Sequence, residues 1–241
     1  AAVTGILSPT DAPIGVETTA YCIDTILPAT CSPVPGSGCT IGSVVDLAAI
    51  FGNVPVGTTA TYYISYYSVD NVGNFAIKPE VPVQIDRIAP TTTVLNPQAG
   101  WAGGDITLNL GATDADSGMT GGLADTLYCV DTTDSCDPAT SGTSVLVNAA
   151  GVQYVRYYSI DAAGNVEAVN SFMVSIDTTP PVTTSDATTG WVSDESVTVK
   201  LFPTDSESGM TGGSADTLYC YDLVAGCPQG IWGTIFTLHT V

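Results

Sequence analysis

The chain has 241 residues, with 24 acidic against four basic side chains and a formal net charge of −20 at pH 7. This charge excludes nucleic acid and anionic membrane surfaces as partners, because both bind a basic face, but it permits divalent cations. Hydrophobic residues make up 44% of the chain. No apolar run approaches the roughly 18 residues of a membrane-spanning helix, so we expect no membrane insertion.

The apolar runs are rich in Val, Ile, Thr and Tyr, and no long stretch has apolar residues at helical spacing. Such residues fit the pleated, half-buried surface of a sheet. The sequence therefore predicts an all-β fold. The opening AAVTG would suit a processed N-terminus.

Two phrases recur along the chain at one fixed distance. YYSVDNVGN, which contains Asp70, returns 91 residues later as YYSIDAAGN, which contains Asp161. TDADSGMTGGLADTLYC, ending at Cys129, returns 91 residues later as TDSESGMTGGSADTLYC, ending at Cys220. Repetition at one period indicates tandem units. The predicted units span residues 1–88, 89–178 and 179–241.

The first predicted unit departs from the repeat in two places. The stretch from Cys22 to Asp70 is half as long again as the matching stretch from Cys129 to Asp161, so this unit carries an insertion. The insertion lies around PVPGSGCTIGSVVDLAAIFG, which contains Cys39 and in which VVDLAAIF could form a helical turn. The front of this unit is also short, and we expect it to lack the strand that matches DITLNLGATD.

The second predicted unit is the complete copy. Its strands are expected at TTTVLN, DITLNLGATD, DTLYCVD, SVLVNA, VQYVRYYSID and SFMVSID. Six or seven short strands in about 90 residues, separated by Gly, Asp and Pro turns, are typical of an immunoglobulin-like β-sandwich. The linkers DRIAP and DTTPP that flank it contain prolines, which end strands and stiffen the connection.

The third predicted unit is shorter than the second and lacks the two strands that match YVRYYSIDAAGN and SFMVSID. Its core would therefore be open and its strand edges unpaired. Such edges invite pairing with another chain.

Six of the seven cysteines occur in local pairs separated by seven or nine residues. This recurring placement predicts local disulfides and an oxidising, extracellular or cell-surface location. Zinc binding is the weaker alternative, because no C-x-x-C occurs and His239 is the only histidine. The seventh cysteine is Cys39. The predicted disulfide cysteines are Cys22, Cys31, Cys129, Cys136, Cys220 and Cys227.

Several carboxylates lie in turns where they could bind Ca²⁺ through oxygen. In TDADSGM and TDSESGM two acidic residues alternate before a glycine, and we favour a turn in which the Asp bonds its own backbone. In D-x-x-G-N the Asp is expected to cap a tight turn, with calcium shared with linker residue Asp86 or Asp177 as the alternative. The candidate calcium ligands are Asp114, Asp116, Asp205, Glu207, Asp70 and Asp161.

Aromatic residues recur in pairs on the Tyr-rich strands, at Tyr66–Tyr67 and Tyr157–Tyr158. Neighbours on a strand point to opposite faces, so we expect one of each pair in the core rather than a sugar-binding platform. Trp101 and Trp191 are expected to cover one end of each sandwich. The sequence contains no nucleophile motif such as G-x-S-x-G, and we expect no enzymatic activity.

The phrases TLYCVDTTDSC, YVRYYSIDAAGNVE and DTTPPVTT resemble the tandem bacterial and archaeal Ig-like repeats of large secreted and cell-surface proteins. The resemblance covers the whole chain and is best in the second unit. It implies a stalk, spacer, adhesin arm or appendage to an enzyme, and it assigns no activity.

The incomplete ends predict a head-to-tail filament or surface stalk in which one copy of the chain donates a strand to the next. AAVTGILS would enter the third unit of a neighbour, and GTIFTLHTV would enter the first. The expected assembly residues are Ala1, Val3, Ile6, Leu7, Ile235, Phe236, Leu238 and Val241. The alternatives are an ordered fragment of a longer repeat protein, an adhesin or carbohydrate-binding module with a surface glycan as partner, and an accessory array of a secreted enzyme.

Overall fold

The computed structural model describes residues 4–7, 9, 16–25, 39–122, 125–193, 195–213, 216–222 and 230–239. These residues form an all-β structure with one short helix, α1 (Leu47–Asn53). The strands of the first unit are β1 (Thr4–Ile6), β2 (Val16–Asp24), β3 (Thr40–Ile41), β4 (Val44–Asp46), β5 (Thr59–Asp70) and β6 (Phe75–Asp86). Within the described part of the chain, no helix reaches the length and hydrophobicity needed to cross a bilayer.

The second unit contains eight strands in two sheets that face each other. One sheet has the order β11-β10-β13-β14-β8 and the other the order β12-β9-β7. The strands are β7 (Thr91–Val94), β8 (Trp101–Ala102), β9 (Ile106–Thr113), β10 (Thr126–Asp131), β11 (Thr140–Ser141), β12 (Ser144–Val147), β13 (Gly151–Ser159) and β14 (Asn170–Ile176). All neighbours are antiparallel except β14 and β8, which run parallel.

The core of the second unit lies between these two sheets. Burial alternates along β13, as expected for a strand with one face on the core. Apolar side chains from both sheets meet there, so this unit is a β-sandwich. The buried cluster consists of Leu108, Leu110, Val145, Val147, Val155, Tyr157, Val174 and Ile176.

The first unit pairs a four-stranded sheet, β3-β2-β5-β6, with the two-stranded sheet β1-β4. Because β1 pairs with β4 as β9 pairs with β12, β1 stands in the place of β9. The front strand expected to be missing is therefore present in part, as three residues. What the described residues of this unit do not include is a counterpart of β7.

The insertion in the first unit is divided between two places. Tyr21 and Thr40 are paired as Tyr128 and Thr140 are, but the loop that connects them is longer, so part of the insertion lies in the cysteine loop. The rest is added around α1, after β4. The predicted helical turn therefore exists, although its first three residues belong to β4.

Helix α1 contributes to the core of the first unit. Its buried Leu47 and Ile50 join Val45, Ile64 and Ile85 in one cluster. Arg87, at the end of the unit, donates from its guanidinium to the backbone carbonyls of Phe51 (3.3 Å) and Val54. The helix thus adds apolar side chains to this core, and Arg87 bonds two carbonyls at its C-terminal end.

The third unit repeats the strand register of the second at an offset of 91 residues. Val199 faces Phe236 as Leu108 faces Val145, and Leu218 faces Trp232 as Leu127 faces Ser141. The described residues include no counterpart of β13 or β14. The strands are β15 (Val182–Ser185), β16 (Ser196–Thr204), β17 (Leu218–Tyr219), β18 (Ile231–Trp232) and β19 (Ile235–His239).

Candidate functional site

The first feature with functional potential is the joint between the first and second units, centred on Asp86 at the end of β6. Its Oδ1 accepts the N–H of Ile88 at 2.9 Å, and its Oδ2 accepts the N–H of Ser117 at 3.0 Å. Asn165 donates from Nδ2 to the Asp86 carbonyl at 3.1 Å. One aspartate thus binds two separate turns of the second unit to the end of the first.

The turn that supplies Ser117 is organised by Asp114. Asp114 Oδ1 accepts the N–H groups of Asp116 at 3.1 Å and of Gly118 at 2.8 Å. Gly118 has a φ of 74°, a conformation that favours glycine. The side chain of the aspartate therefore bonds its own backbone, which is the turn that the TDADSGM phrase led us to favour.

The same joint occurs between the second and third units, built from residues 91 positions later. Asp177 accepts the N–H of Thr179 at 2.8 Å and that of Ser208 at 2.9 Å. Asp205 organises the turn by accepting the N–H of Glu207 at 3.1 Å and that of Gly209 at 2.8 Å. The two joints use equivalent atoms at closely similar distances.

The hydrogen bonds determine the charge state of the joint carboxylates. Burial alone would raise the pKa of Asp86, but the hydroxyl and N–H of Ser117 and the N–H of Ile88 outweigh it and lower the pKa. The hydroxyl and N–H of Ser208, with the N–H of Thr179, hold the pKa of Asp177 far below its usual range. Both groups are carboxylates at neutral pH.

Glu207 shows the opposite behaviour beside the second joint. A hydrogen bond with Asp177 raises its pKa, and burial and the negative charge of Asp177 add to this effect. Glu207 Oε2 also accepts the hydroxyl of Thr179 at 3.3 Å. As the pH falls, Glu207 therefore takes up a proton before Asp177 does.

Three carboxylates converge at the first joint. One oxygen from each of Asp86, Asp114 and Asp161 lies within 4.8 Å of the other two. Asp161 also caps its turn, accepting the N–H of Asn165 at 2.8 Å and its Nδ2 at 2.7 Å. Hard oxygen ligands of this kind suit Ca²⁺, but the hydrogen bonds already account for the geometry, and calcium stays a prediction.

The other candidate calcium ligands lie outside this group. Asp116 is exposed, while Asp70 caps the corresponding turn of the first unit by accepting the N–H groups of Val72 and Asn74. Asp205 and Glu207 lie at the second joint. Sequence reasoning found Asp114 and Asp161 but treated them as separate turns, because the contact between them is not local in sequence.

The disulfide loop of the second unit is held by several contacts. Cys129 and Cys136 are bonded, with an S–S distance of 2.04 Å. Asp131 Oδ2 accepts the N–H groups of Ser135 and Cys136, both at 3.0 Å, and the bond from Ser135 is the main cause that lowers the pKa of Asp131 to about 2. Arg156 on β13 donates to the carbonyl of Cys136 at 2.7 Å.

The remaining cysteines fall partly within the described residues. Cys22 and Cys220 are disulfide-bonded, whereas Cys31 and Cys227 lie outside the described residues. Cys39 is partly buried beside β3. The aromatic pairs behave as core side chains, since Tyr67 and Tyr157 are buried and their neighbours are half-buried.

The described strands of the two expected donor segments are paired within their own chain, which corrects that part of the assembly prediction. Ile6 faces Val44 in the β1–β4 ladder, and the Leu7 N–H donates to the Ser43 carbonyl. Residues Ile235–His239 form β19 and pair with β16. The strands are satisfied locally because each stands in the position that β9 or β12 occupies in the second unit. Ala1, Val3 and Val241 lie outside the described residues.

A last feature, which sequence reasoning missed, is a buried hydroxyl at the open end of the third unit. Thr217 is 6% exposed, and its Oγ1 has no hydrogen-bond partner among the described residues. The sequence does place Thr217 at the position of Thr126 in the 91-residue repeat. Ser and Thr are so common in this chain that this match alone does not distinguish Thr217 from the others.

Comparison with known proteins gives little beyond this geometry. No protein-family model matches the chain, and no curated protein matches it. Among solved structures, the fibronectin(III)-like modules of Clostridium thermocellum CbhA are similar at 13% sequence identity and a TM-score of 0.33, covering 70% of this chain and 83% of that one. The assignment of an all-β sandwich fold rests on the sheets described above.

Proposed function

We propose that this chain is a structural, non-enzymatic part of an extracellular filament or surface stalk, built from β-sandwich units in series. The observation that carries the proposal is the joint that occurs twice. Asp86 bonds to Ser117 at 3.0 Å, and Asp177 bonds to Ser208 at 2.9 Å. A repeated hydrogen-bonded joint restricts the angle between units, as a spacer requires. Independent binding modules do not need a fixed angle between neighbouring units.

Other properties support a structural role. The net charge of −20 keeps an extended surface protein soluble, and local disulfides suit an oxidising environment. The single histidine, His239, is exposed on β19, away from the repeated carboxylates. The sequence contains no nucleophile motif such as G-x-S-x-G.

The proposed mode of assembly is strand complementation between units of neighbouring chains. Strand complementation needs an acceptor edge and a donor strand; among the described residues β17 of the third unit has a neighbouring strand on one side only. The described strands of both expected donor segments are paired within the chain. Head-to-tail self-assembly therefore requires a donor other than Thr4–Ile6 or Ile235–His239, and electron microscopy of the native protein tests whether filaments form at all.

A surface adhesin is the second candidate function. It is favoured by aromatic side chains of the third unit that remain exposed, namely Trp191 at 105%, Trp232 at 61% and Tyr221 at 57%. Such rings could stack on sugars. Binding of the native protein to a glycan array, lost in Trp191→Ala and Trp232→Ala, would favour this function over a spacer.

The joint is testable because the chain has a tryptic site within it. Only four Lys and Arg residues are present, and one of them is Arg87, in the linker. We expect Asp86→Ala to accelerate cleavage after Arg87, because the bonds to Ile88 and Ser117 are lost. Rates are normalised to cleavage of the same unfolded chain, which removes the effect of the altered neighbouring residue.

Asp70→Ala is the matched control. Asp70 caps a turn of the first unit with the same kind of bonds, to Val72 and Asn74, but these bonds stay within that unit. Equal cleavage of the Asp86→Ala and Asp70→Ala chains would show that the joint does not hold the units together, and the spacer function would lose its main support.

A further inference from the structure

The three-stranded sheet of the second unit ends on one side at β12, and no described strand lies beyond it. In the β12–β9 ladder Ser144 faces Asn109, and Leu146 faces Thr107. The N–H of Asn109 and the carbonyl of Thr107 point away from β12 and bond the side chain of Asn96, at 2.6 and 2.8 Å. Because hydrogen-bonded and non-hydrogen-bonded pairs alternate along an antiparallel ladder, the backbone N–H and C=O groups of Ser144 and Leu146 point out of the sheet, at its open edge.

Other strand edges of the molecule are protected against pairing. On the opposite side of the same sheet, the N–H of Thr92 on β7 donates to Glu167 Oε1 at 2.9 Å. The edge strand β6 of the first unit contains Lys78 and two prolines. Lysine and proline on an edge strand prevent another strand from pairing with it. β12 reads SVLV and contains neither residue, so its edge lacks these protections.

The side chains of β12 favour contact with another strand. Val145 and Val147 are buried in the core, while Leu146 on the outer face is 56% exposed. This alternation fixes which face of the strand points to the core. No charged residue occurs between Asp137 and Arg156. β12 is thus an uncharged, partly apolar edge strand in a chain with a net charge of −20.

We propose that β12 is a lateral self-association site at which two copies of this chain join edge to edge, as antiparallel strands of one continuous sheet. Ser144 of each copy faces Leu146 of the other, and each such pair exchanges its N–H···O=C bonds. Val145 of the two copies meets at the two-fold axis. This register uses the outward backbone groups of both strands. The inference goes beyond the spacer function, because it concerns contacts between stalks that lie side by side.

A second copy fits this edge for reasons of charge and symmetry. Two chains of net charge −20 repel each other, and the uncharged run around β12 lets them approach without charged residues of that run facing each other. The pairing is isologous, so it closes as a dimer. The two Leu146 side chains lie diagonally across the pair, about 7–8 Å apart and within contact range for long side chains. A single short pair has low affinity, and copies held side by side raise it through their effective concentration.

Sedimentation equilibrium of the 241-residue chain tests whether the pair forms. We expect the mass to rise with protein concentration from 24.6 kDa toward twice that value. The rise should be stronger in about 1 M NaCl, where the Debye length is only about 3 Å and the repulsion between chains is screened. A mass of 24.6 kDa at every concentration, in dilute buffer and in salt, would overturn the proposal.

Leu146→Pro and Leu146→Ala separate backbone pairing from side-chain contact. Proline removes the N–H at the open edge, which the unit itself does not use, so the fold should tolerate it. We expect the dimer association constant to fall about tenfold or more, because the pair loses half of its hydrogen bonds. Alanine removes the same side chain but keeps the N–H, and its loss should be clearly smaller. Equal losses in the two variants would show that the copies do not pair through the strand edge.

Cysteine trapping tests the register without relying on the proline variant. In S144C/L146C each cysteine faces its counterpart at a hydrogen-bonded pair, where Cα atoms lie about 5.5 Å apart, within disulfide range. T107C/N109C is the matched control, because these two exposed residues of β9 lie on the same face, one strand in from the edge. Mild oxidation should give a covalent dimer linked between positions 144 and 146 in the first variant and little dimer in the second.

Equal crosslinking of S144C/L146C and T107C/N109C would mean random collision and would overturn the proposed edge. Dimer that persists in Leu146→Pro at the native association constant would place the contact on another surface, which also overturns it. None of these variants changes the joint at Asp86. Cleavage after Arg87 therefore tests the spacer function separately, and the two ideas fail independently.

Discussion

The buried hydroxyl pair of the second unit offers a quantitative test of how these sandwiches are held together. Ser159 Oγ lies 2.8 Å from Thr126 Oγ1 and 2.7 Å from Thr92 Oγ1, and Ser159 is 0% exposed. In Thr126→Val, Ser159 keeps its contact with Thr92. Only one hydrogen bond is lost, so we expect the second unit to be destabilised by about 0.5–1.5 kcal/mol.

Ser159→Ala should cost more, because it leaves Thr126 Oγ1 buried without a partner. Thr92 is less affected, since its hydroxyl also donates to Glu167 at 2.6 Å. An unsatisfied buried hydroxyl costs about 1–3 kcal/mol. For a unit of this size each kcal/mol corresponds to roughly 4–8 °C in melting temperature. In the double variant the two losses overlap, so its effect should be smaller than their sum.

The assay is thermal unfolding in a W191F/W232F background, in which Trp101 reports on the second unit through its pairing with β14. A reporter confined to one unit is needed because a chain of several units does not unfold in a single two-state transition. If the double variant equals the sum of the single variants within about 0.3 kcal/mol, the two hydroxyls do not interact and the reasoning fails.

Three further predictions concern the joints and the disulfide loop. Asp86 and Asp177 have pKa values below the ordinary 3.8, so their contribution to the free energy of unfolding is present above pH 3.8 and is lost as the pH falls through the lower folded values. The melting temperature should therefore depend less on pH between pH 5 and pH 2 in Asp86→Ala than in the native chain. The same pH dependence in both chains would contradict this. Replacing both cysteines of the Cys129–Cys136 disulfide, which links residues seven apart, by serine should lower the free energy of unfolding by about 2.5 kcal/mol through loop entropy, as measured by denaturant unfolding. The difference between the native chain and this variant should disappear when both are reduced, and an undiminished difference would refute the entropic account. If Ca²⁺ binds the first joint, CaCl₂ should raise the melting temperature relative to EDTA and Asp114→Asn should abolish the rise, whereas identical melting of the native protein in both solutions excludes the site.

Sequence reasoning predicted correctly the features that depend only on residues close together in the chain. The alternation of apolar residues predicted β13 because it depends on the period of a strand. The turn at Asp114 followed from an aspartate placed before a glycine, since both bonds that hold it are made within five residues. A fixed spacing of 91 residues also carried the register from the second unit to the third.

The contacts between units leave no local pattern, and the sequence offers Asp161 beside Asp86 only as an alternative calcium site. Asp86 and Ser117 are 31 residues apart, and Asp86 and Asn165 are 79 apart, so no local pattern records that they meet. The same limit explains β1, whose three residues were mistaken for a free strand. Its partner, β4, is distant in sequence and lies beyond the cysteine loop.

The first joint and the β13–β14 hairpin belong to one structural arrangement. In the second unit the turn between β13 and β14 begins at Asp161, which lies beside Asp86 and Asp114, and Asn165 of that turn donates to the Asp86 carbonyl. The hairpin that completes a sandwich therefore also closes the joint with the preceding unit. At the second joint the described residues supply Asp177 and Asp205 but no counterpart of Asp161 or Asn165.

It follows that the β13–β14 turn should stiffen the first joint. In Asn165→Ala, which removes the bond to the Asp86 carbonyl, the amide of Ile88, which donates to Asp86 at 2.9 Å, should exchange faster with solvent deuterium. Asn74→Ala is the matched control, because Asn74 bonds Asp70 in the equivalent turn of the first unit. If Ile88 exchanges at the same rate in both variants, the turn has no separate role in holding the units together.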